Sequence, residues 1–421
     1  MRQKAGTYRK VHMLRVAVAL LVFVSCCACG VYEGTRQPQE NLETAWEGEI
    51  TVMHEDAGDS KFEEFMEQVQ DELHMKIHVL PYPKNAESRH AKVSSLLAAG
   101  DDSVDVFTVN DEMINAFKHE GYLEPLGEDV MAPATAAVFP QEYLHESLMA
   151  DGQIYSAPYM LDVLVLWVNE EWLKEAGIAD LDSKENLYRF LSYDWGDGRY
   201  AYGGAWEKTY VFNEIGEFIN LFGGDYYDWE NEKTRQAVQF LKECVDMGYT
   251  SKEQVIDQYE QMNQKFIDGK YGMVFMYSGS MEIYSDAQVY GEDKIHMAPL
   301  TGLGESVTYV GTWQYALNKA SGNKEAAKKF MSYVTGRDGS RLYAECMNRM
   351  PARSDLLEEE DLDITGYKQF QDYLSTVTLQ ARPIPANSVE YLEKVGGLFQ
   401  QYIFGEISLE NYCEQMQKLV G

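Results

Sequence analysis

Basic residues are scarce in this chain: 36 Lys and Arg face 68 Asp and Glu, a formal net charge of −32. Such a field repels phosphate backbones and anionic headgroups, which excludes nucleic acid and anionic lipid surfaces as partners. It also weighs against an anionic small ligand, unless a local arginine pocket overrides it. Cysteine is scarcer still. Cys26, Cys27 and Cys29 crowd one N-terminal stretch, leaving Cys244, Cys346 and Cys413 in the body of the chain. Odd in number, widely spaced and without a CxxC, these three exclude a disulfide framework and a zinc site. Cys244 falls in an apolar helical stripe and reads as a small core residue. The chain also lacks GxSxG, HExxH, a Walker loop and a GxGxxG between strand and helix. His74 and His78 lie four apart in a segment that reads as strand, and His54 beside Glu55 and Asp56 makes no better ligand set. No metal, cofactor or catalytic activity is expected.

No internal repeat is visible, and long apolar runs are missing too. The one near the N-terminus, Val16 to Val24, is too short for the ~20 residues that span a bilayer. It follows Arg2, Lys4, Arg9, Lys10 and Arg15 and ends at Ser25-Cys26, the order of a secretory signal peptide, with Met13 as an alternative start. Lipoprotein signal peptidases cut before a cysteine preceded by small residues. Cys26 fits best and Cys29, after Ala28, is the second choice. Residues 1–26 are therefore expected to be a signal peptide with a lipobox, and 27–48 a polar tether. Losing the five basic residues of the signal region takes the charge from −32 to −37.

What the chain has in quantity is hydrophobic residues (45%) and aromatics (13%), with 29 tyrosines against 17 phenylalanines. That supports a large globular body, and 421 residues suggest more than one domain. Tyrosine suits ligand clefts and half-wet packing alike. Strands are predicted over Glu49–Met53, Lys76–Leu80 and Val104–Val109. They alternate with helices at Phe62–Leu73 (capped by Asp59 or Ser60), Ser88–Ala99 and Met113–Glu120. This alternation predicts a parallel α/β unit. Further helices are predicted at Phe212–Phe222, Lys233–Met247, Lys252–Ile267, Lys324–Val334, Asn387–Ile403 and Leu409–Leu419, with strands at Gly272–Met276 and Thr308–Leu317. In an open α/β sheet, ligands bind beyond the carboxyl ends of strands. That singles out Glu55 and Asp56 after the first strand and Asn110 and Asp111 after the third, unless they serve as turn or helix-cap residues.

Several segments resemble the bacterial extracellular solute-binding proteins of the maltose and multiple-sugar type. They are Gly121-Tyr-Leu-Glu-Pro-Leu126, Asp151-Gly-Gln-Ile-Tyr-Ser-Ala-Pro158, Leu166-Trp-Val-Asn-Glu-Glu-Trp-Leu-Lys-Glu-Ala-Gly-Ile178 and Phe266-Ile-Asp-Gly-Lys-Tyr-Gly-Met273. Gly311-Thr-Trp-Gln-Tyr-Ala-Leu-Asn-Lys319, Ala326-Ala-Lys-Lys-Phe330, Met350-Pro-Ala-Arg353 and Arg382-Pro-Ile-Pro385 follow in the family's order. The sequence departs from the pattern after Ile178, where Ala179–Lys184 has no proline, and at Tyr277-Ser-Gly-Ser280, where a cleft tryptophan is common.

The resemblance implies a two-lobed α/β fold of the periplasmic-binding-protein type, with ligand between the lobes and three crossings near Tyr159–Leu161, Tyr309–Thr312 and Arg353–Leu357. Lobe 1 is then 49–158 with 312–353, and lobe 2 is 159–311 with 354–421. It further implies a monomeric, lipid-anchored extracytoplasmic receptor that delivers a small solute, foremost a saccharide, to ABC-transporter permease subunits. A cationic or other solute, a sensor kinase as recipient, or surface glycan binding are the alternatives. At the first crossing Asp162 is either a hydroxyl acceptor or a solvated carboxylate. At the second, Trp313 is either a stacking ring or core. Trp206, in Gly203-Gly-Ala-Trp-Glu207, is a further stacking candidate on a loop, and Tyr277, Arg353 and, more weakly, Arg382 stand near crossings.

Overall fold

The computed structural model describes residues 46–83, 86–299, 303–385 and 388–421. The signal peptide, Cys26 and Cys29 lie outside them. Among the described residues no helix is long and apolar enough to cross a membrane.

The parallel unit forms as expected. Strand β1 (Gly48–His54) lies between β2 (Met75–Pro81) and β3 (Val106–Val109), parallel to both. The helix Ser60–Leu73 joins β1 to β2. Asp59 caps it by accepting from the Lys61 and Phe62 amides at 2.8 and 3.4 Å. Its five periodic residues, Phe62, Phe65, Met66, Val69 and Leu73, are all buried, and each large apolar side chain so buried contributes about 1.5–3 kcal/mol. The helices Ala86–Ala99 and Asp111–Glu120 place Val93, Leu97, Ile114 and Phe117 in a second apolar cluster with Phe107 and Val109 of β3.

A small hairpin follows, β4 (Met149–Ala150) and β5 (Gln153–Ile154), closed by Asp151 and Gly152 at φ 50° and 74°. Positive φ at both central residues is what a two-residue hairpin turn with the right twist requires. The chain then enters β6 (Ser156–Asn169), a single strand buried along most of its length. Residues 156–163 pair antiparallel with β10 (Val307–Leu317), and 164–168 pair with β8 (Tyr271–Tyr277). β7 (Tyr200–Gly203) flanks β8, β9 (Ile295–Ala298) adds to β6, and β11 (Thr378–Ala381) adds to β10. The order is β2-β1-β3-β10-β6-β8-β7. Two lobes thus share one sheet path, linked through β6 and β10. The β6–β10 ladder slips register between Trp313 and Gln314.

Some elements escape the sequence reading, among them the helices Ser280–Asp286 and Arg337–Met347. The expected helix over 252–267 is two pieces, a 3-10 turn Lys252–Ile256 and a helix Tyr259–Ile267. Asp257 breaks it: the residue is extended and buried, its carboxylate pairs with Lys265 at 2.5 Å, and its carbonyl accepts from the Glu207 amide.

Candidate functional site

A cavity of about 600 Å³ opens where β1, β3, β6, β8 and β10 meet. Its composition follows from those strands. β1, β3 and β8 contribute residues at or just beyond their ends, whereas β6 and β10 contribute residues from mid-strand, where the two pair with each other.

From β1 comes Glu55, which lines the cavity and accepts from the hydroxyls of Tyr159 and Thr108. Asp56, one residue on, does not reach the cavity. It is buried, accepts from Tyr343 Oη at 2.8 Å and pairs with Arg349 at 2.9 Å. Burial raises the Asp56 pKa, but the charges of Arg349 and His54 outweigh it and hold the group below its ordinary value. The ligand atoms of His54, Glu55 and Asp56 lie within 4.8 Å of one another, yet each is already engaged by protein. The His54 Nδ1 accepts from the Asp56 amide at 3.1 Å, and its Nε2 faces Tyr315 Oη at 3.2 Å.

β3 delivers a similar pair. Asn110 lines the cavity while capping the next helix, its Oδ1 accepting from the Met113 amide. Asp111 is buried behind it, accepting from Tyr143 Oη, from Gln314 Nε2 at 3.3 Å and from Arg382. Burial pushes its pKa up, and Arg382 opposes that only in part. So of the four residues read from strand ends, Glu55 and Asn110 face the cavity. Asp56 and Asp111 instead hold the arginines that do.

On the crossing strands, Asp162 of β6 lines the cavity and accepts from Ser278 Oγ at 3.0 Å and the Gly279 amide at 2.9 Å. Burial raises its pKa to about 6, with these two donors pulling the other way. Trp313 of β10 lines it as a half-buried ring, with the Arg89 guanidinium 5.1 Å from its centroid. Tyr277 ends β8 at the wall, donates to Asn213 Oδ1 at 3.2 Å, and lies 5.9 Å under the Arg382 guanidinium. Tyr259 stands edge-on to Tyr277 and to Tyr210, forming an aromatic corner.

Two expected residues sit elsewhere. Trp206 is fully buried, edge-on to Phe399 at 5.1 Å, and lines no part of the cavity. Its glycine-flanked segment is tied down by Gln254 and Asp257, which receive the amides of Gly204, Trp206 and Glu207. The ring therefore turns into the core. Arg353 pairs with Asp355 at 2.8 Å and donates to the Thr335 carbonyl, away from the cavity. Arg349 takes the place expected of it. The helix before it ends on Asn348 at φ 53°, and this left-handed turn aims Arg349 at Asp56 and at Glu282, 3.4 Å away.

Sequence reasoning also missed Arg89, Glu112, Tyr210 and Asn213, and ranked Arg382 too low. Arg382 donates to Asp111, to Glu112 Oε1 at 2.6 Å and to Asn213 Oδ1 at 3.1 Å. Burial raises the Glu112 pKa, but the adjacent Arg382 charge prevails and holds it low.

The family model for bacterial extracellular solute-binding proteins matches residues 56–340. A maltooligosaccharide ABC transporter solute-binding lipoprotein of Streptococcus pneumoniae R6 is 22% identical over 243 residues, 53% of this chain and 56% of that protein. The chain thus spans little more than half the length of that relative. The galactooligosaccharide-binding protein of Bacillus subtilis is 23% identical over 374 residues, covering 82% of this chain and 83% of its own. Among solved structures, maltose-bound T. maritima MalE3 superposes with a TM-score of 0.74 at 18% identity, over 89% of this chain and 99% of that one. With the family model matched over 56–340, this chain belongs to the bacterial extracellular solute-binding proteins, a family of binding proteins and not of enzymes.

Proposed function

We propose that this protein is the lipid-anchored extracytoplasmic receptor of an ABC importer and that its cargo is a saccharide held in the cleft. The observation that carries this reading is the pairing of ring faces with fixed acceptors. Trp313, Tyr210, Tyr259 and Tyr277 bring aromatic surface to the same cavity as Glu55 and Asp162, whose carboxylates are held by protein donors. A sugar presents apolar C–H faces between hydroxyls and needs both. The names of the Streptococcus and Bacillus relatives, both oligosaccharide receptors, support the same class.

In this reading lobe 1 comprises 49–158 and 312–353 and lobe 2 comprises 159–311 and 354–421. The chain passes between them at β6, at β10 and after Arg353, and ligand selects the closed arrangement. Lipid on Cys26 holds the receptor at the membrane beside its permease, and the protein acts as a monomer. A thermal-shift screen tests the cargo, because a ligand at concentration [L] stabilises by RT ln(1 + [L]/Kd). Saccharides should raise the melting temperature. Stabilisation by polyamines or amino acids and by no saccharide would sink the proposal.

A further inference from the structure

Three arginines line the cleft, and two of them have their carboxylates. Arg349 pairs with Asp56 and Glu282, and Arg382 with Asp111 and Glu112. Arg89 differs. Its guanidinium lies over Trp313, its Nε is buried without a hydrogen-bond partner, and no carboxylate stands within ion-pair distance among the described residues. Its charge acts on Glu112 only from beyond ion-pair distance, so in a chain with 68 acidic residues for 36 basic ones this cleft arginine, alone of the three, has no carboxylate in direct contact among the described residues. Glu112 supplies the complementary vacancy. Glu112 is among the residues lining the same cavity; its Oε1 is held by Arg382, while its Oε2 is buried and has no partner.

We propose that Arg89 receives the carboxylate of an acidic, uronate-type sugar, and that Glu112 Oε2 accepts a ring hydroxyl of the same ligand. This rests on the saccharide reading above and narrows it. A guanidinium offers parallel N–H donors in a plane, and a carboxylate offers two oxygens to match, so the pairing is bidentate and directional. A neutral hydroxyl satisfies one donor and leaves the charge uncompensated. The strongly negative surface does not veto the contact, because its field fades over a Debye length of about 8 Å at physiological salt, whereas the Arg89 contact is local.

The test is calorimetric titration of the full-length, detergent-solubilised protein. The probes are disaccharides carrying galacturonate, glucuronate or mannuronate, the neutral counterpart of each, and the 6-phosphate of galactose. At least one uronate should bind on the order of ten- to a hundredfold more tightly than its neutral counterpart, as expected for a charge-assisted bond. High salt should shrink that advantage. Arg89→Gln should abolish it, bringing each uronate and its neutral counterpart to the same affinity, and Arg89→Lys, which keeps charge but loses the planar fork, should retain part of it. Should the Gln variant fail to fold, the Lys variant carries the same readout. Neutral sugars binding as well as uronates overturns this inference alone, as does a preference that survives Arg89→Gln. Preference for the phosphate ester overturns the carboxylate assignment. Binding of no saccharide overturns the proposed function and this inference with it.

Discussion

Arg382 grips Asp111 with two N–H donors, Nε at 3.2 Å and Nη2 at 3.0 Å, across 271 residues of chain. Asp111 opens the helix after β3, whereas Arg382 follows β11, beside the far end of β10. Both side chains are nearly inaccessible. Removing one partner strands a buried charge, so Arg382→Ala should lower unfolding stability by about 3–5 kcal/mol, measured in urea. Arg382→Lys should lose less, because the charge stays and only the fork geometry goes. A loss within error for the Ala variant would show that the pair carries no structural weight.

If it binds ligand as proposed, Asp162 should set a pH window for binding. With its pKa raised to about 6, the carboxylate is charged above that pH and neutral below it. If a ligand hydroxyl donates to it, affinity should fall as pH drops through about 6. Asp162→Asn should weaken binding at pH 7 by roughly 1–3 kcal/mol and flatten the pH profile between 5 and 7. Calorimetry across that range decides. An undiminished slope in the variant would place the titrating group elsewhere.

Trp313 should matter through its ring. Trp313→Ala is expected to cost about 1–3 kcal/mol of saccharide affinity, because it removes both apolar surface and the platform under Arg89. Trp313→Phe should recover much of that. An Ala variant that binds like wild type would remove this ring from the site.

Glu214 and Glu217 are fully enclosed in the helix Phe212–Phe222, and burial raises each pKa to about 8, against hydrogen bonds that lower it. The folded protein therefore keeps two protons that the unfolded chain releases above about 4.5. Stability contributed by those protons is complete below 4.5, drains as pH rises toward 8 and stays lost above it, at up to about 1.4 kcal/mol per unit per group. Replacing both with Gln should flatten the decline in melting temperature between pH 5 and 8. A double variant with the wild-type slope would show that these groups ionise in place.

Cys26 should carry the anchor. Wild-type protein made in a bacterium should partition into detergent, and Cys26→Ala should release it or block processing. Mass spectrometry finding acylation lost only on Cys29→Ala would move the anchor three residues along.

What could be read from the chain was local. The five periodic residues of the helix Ser60–Leu73 and its Asp59 cap lie within about four turns of one another, and all fell where expected. The parallel strands β1 to β3 followed from alternation with helices. Long-range partnerships could not be read. Trp206 looked exposed because glycines flank it, yet Gln254 and Asp257, some fifty residues later, turn it inward. Arg353 and Arg349 are one helical turn apart in sequence, and only the positive φ of Asn348 decides which reaches the cleft. Glu55 and Asp56 are adjacent acids at the end of one strand. The turn that follows β1 sends one into the cavity and the other behind it, and nothing in their identity tells which.

The unbroken passage of β6 from one lobe to the other bears on how the receptor lets go. A loop between lobes would swing freely, but a strand paired along its whole crossing resists like a ribbon under torsion. On the proposed lobe division, opening would come from changing the twist of the β6–β10 ribbon, and the ladder slips at Trp313/Gln314. A slip of this kind concentrates twist and is the most compliant point of such a ribbon. On the proposed reading, the ring assigned to the cargo is thus carried by the slip itself. In that reading a ligand that immobilised the ring would also stiffen the joint between the lobes.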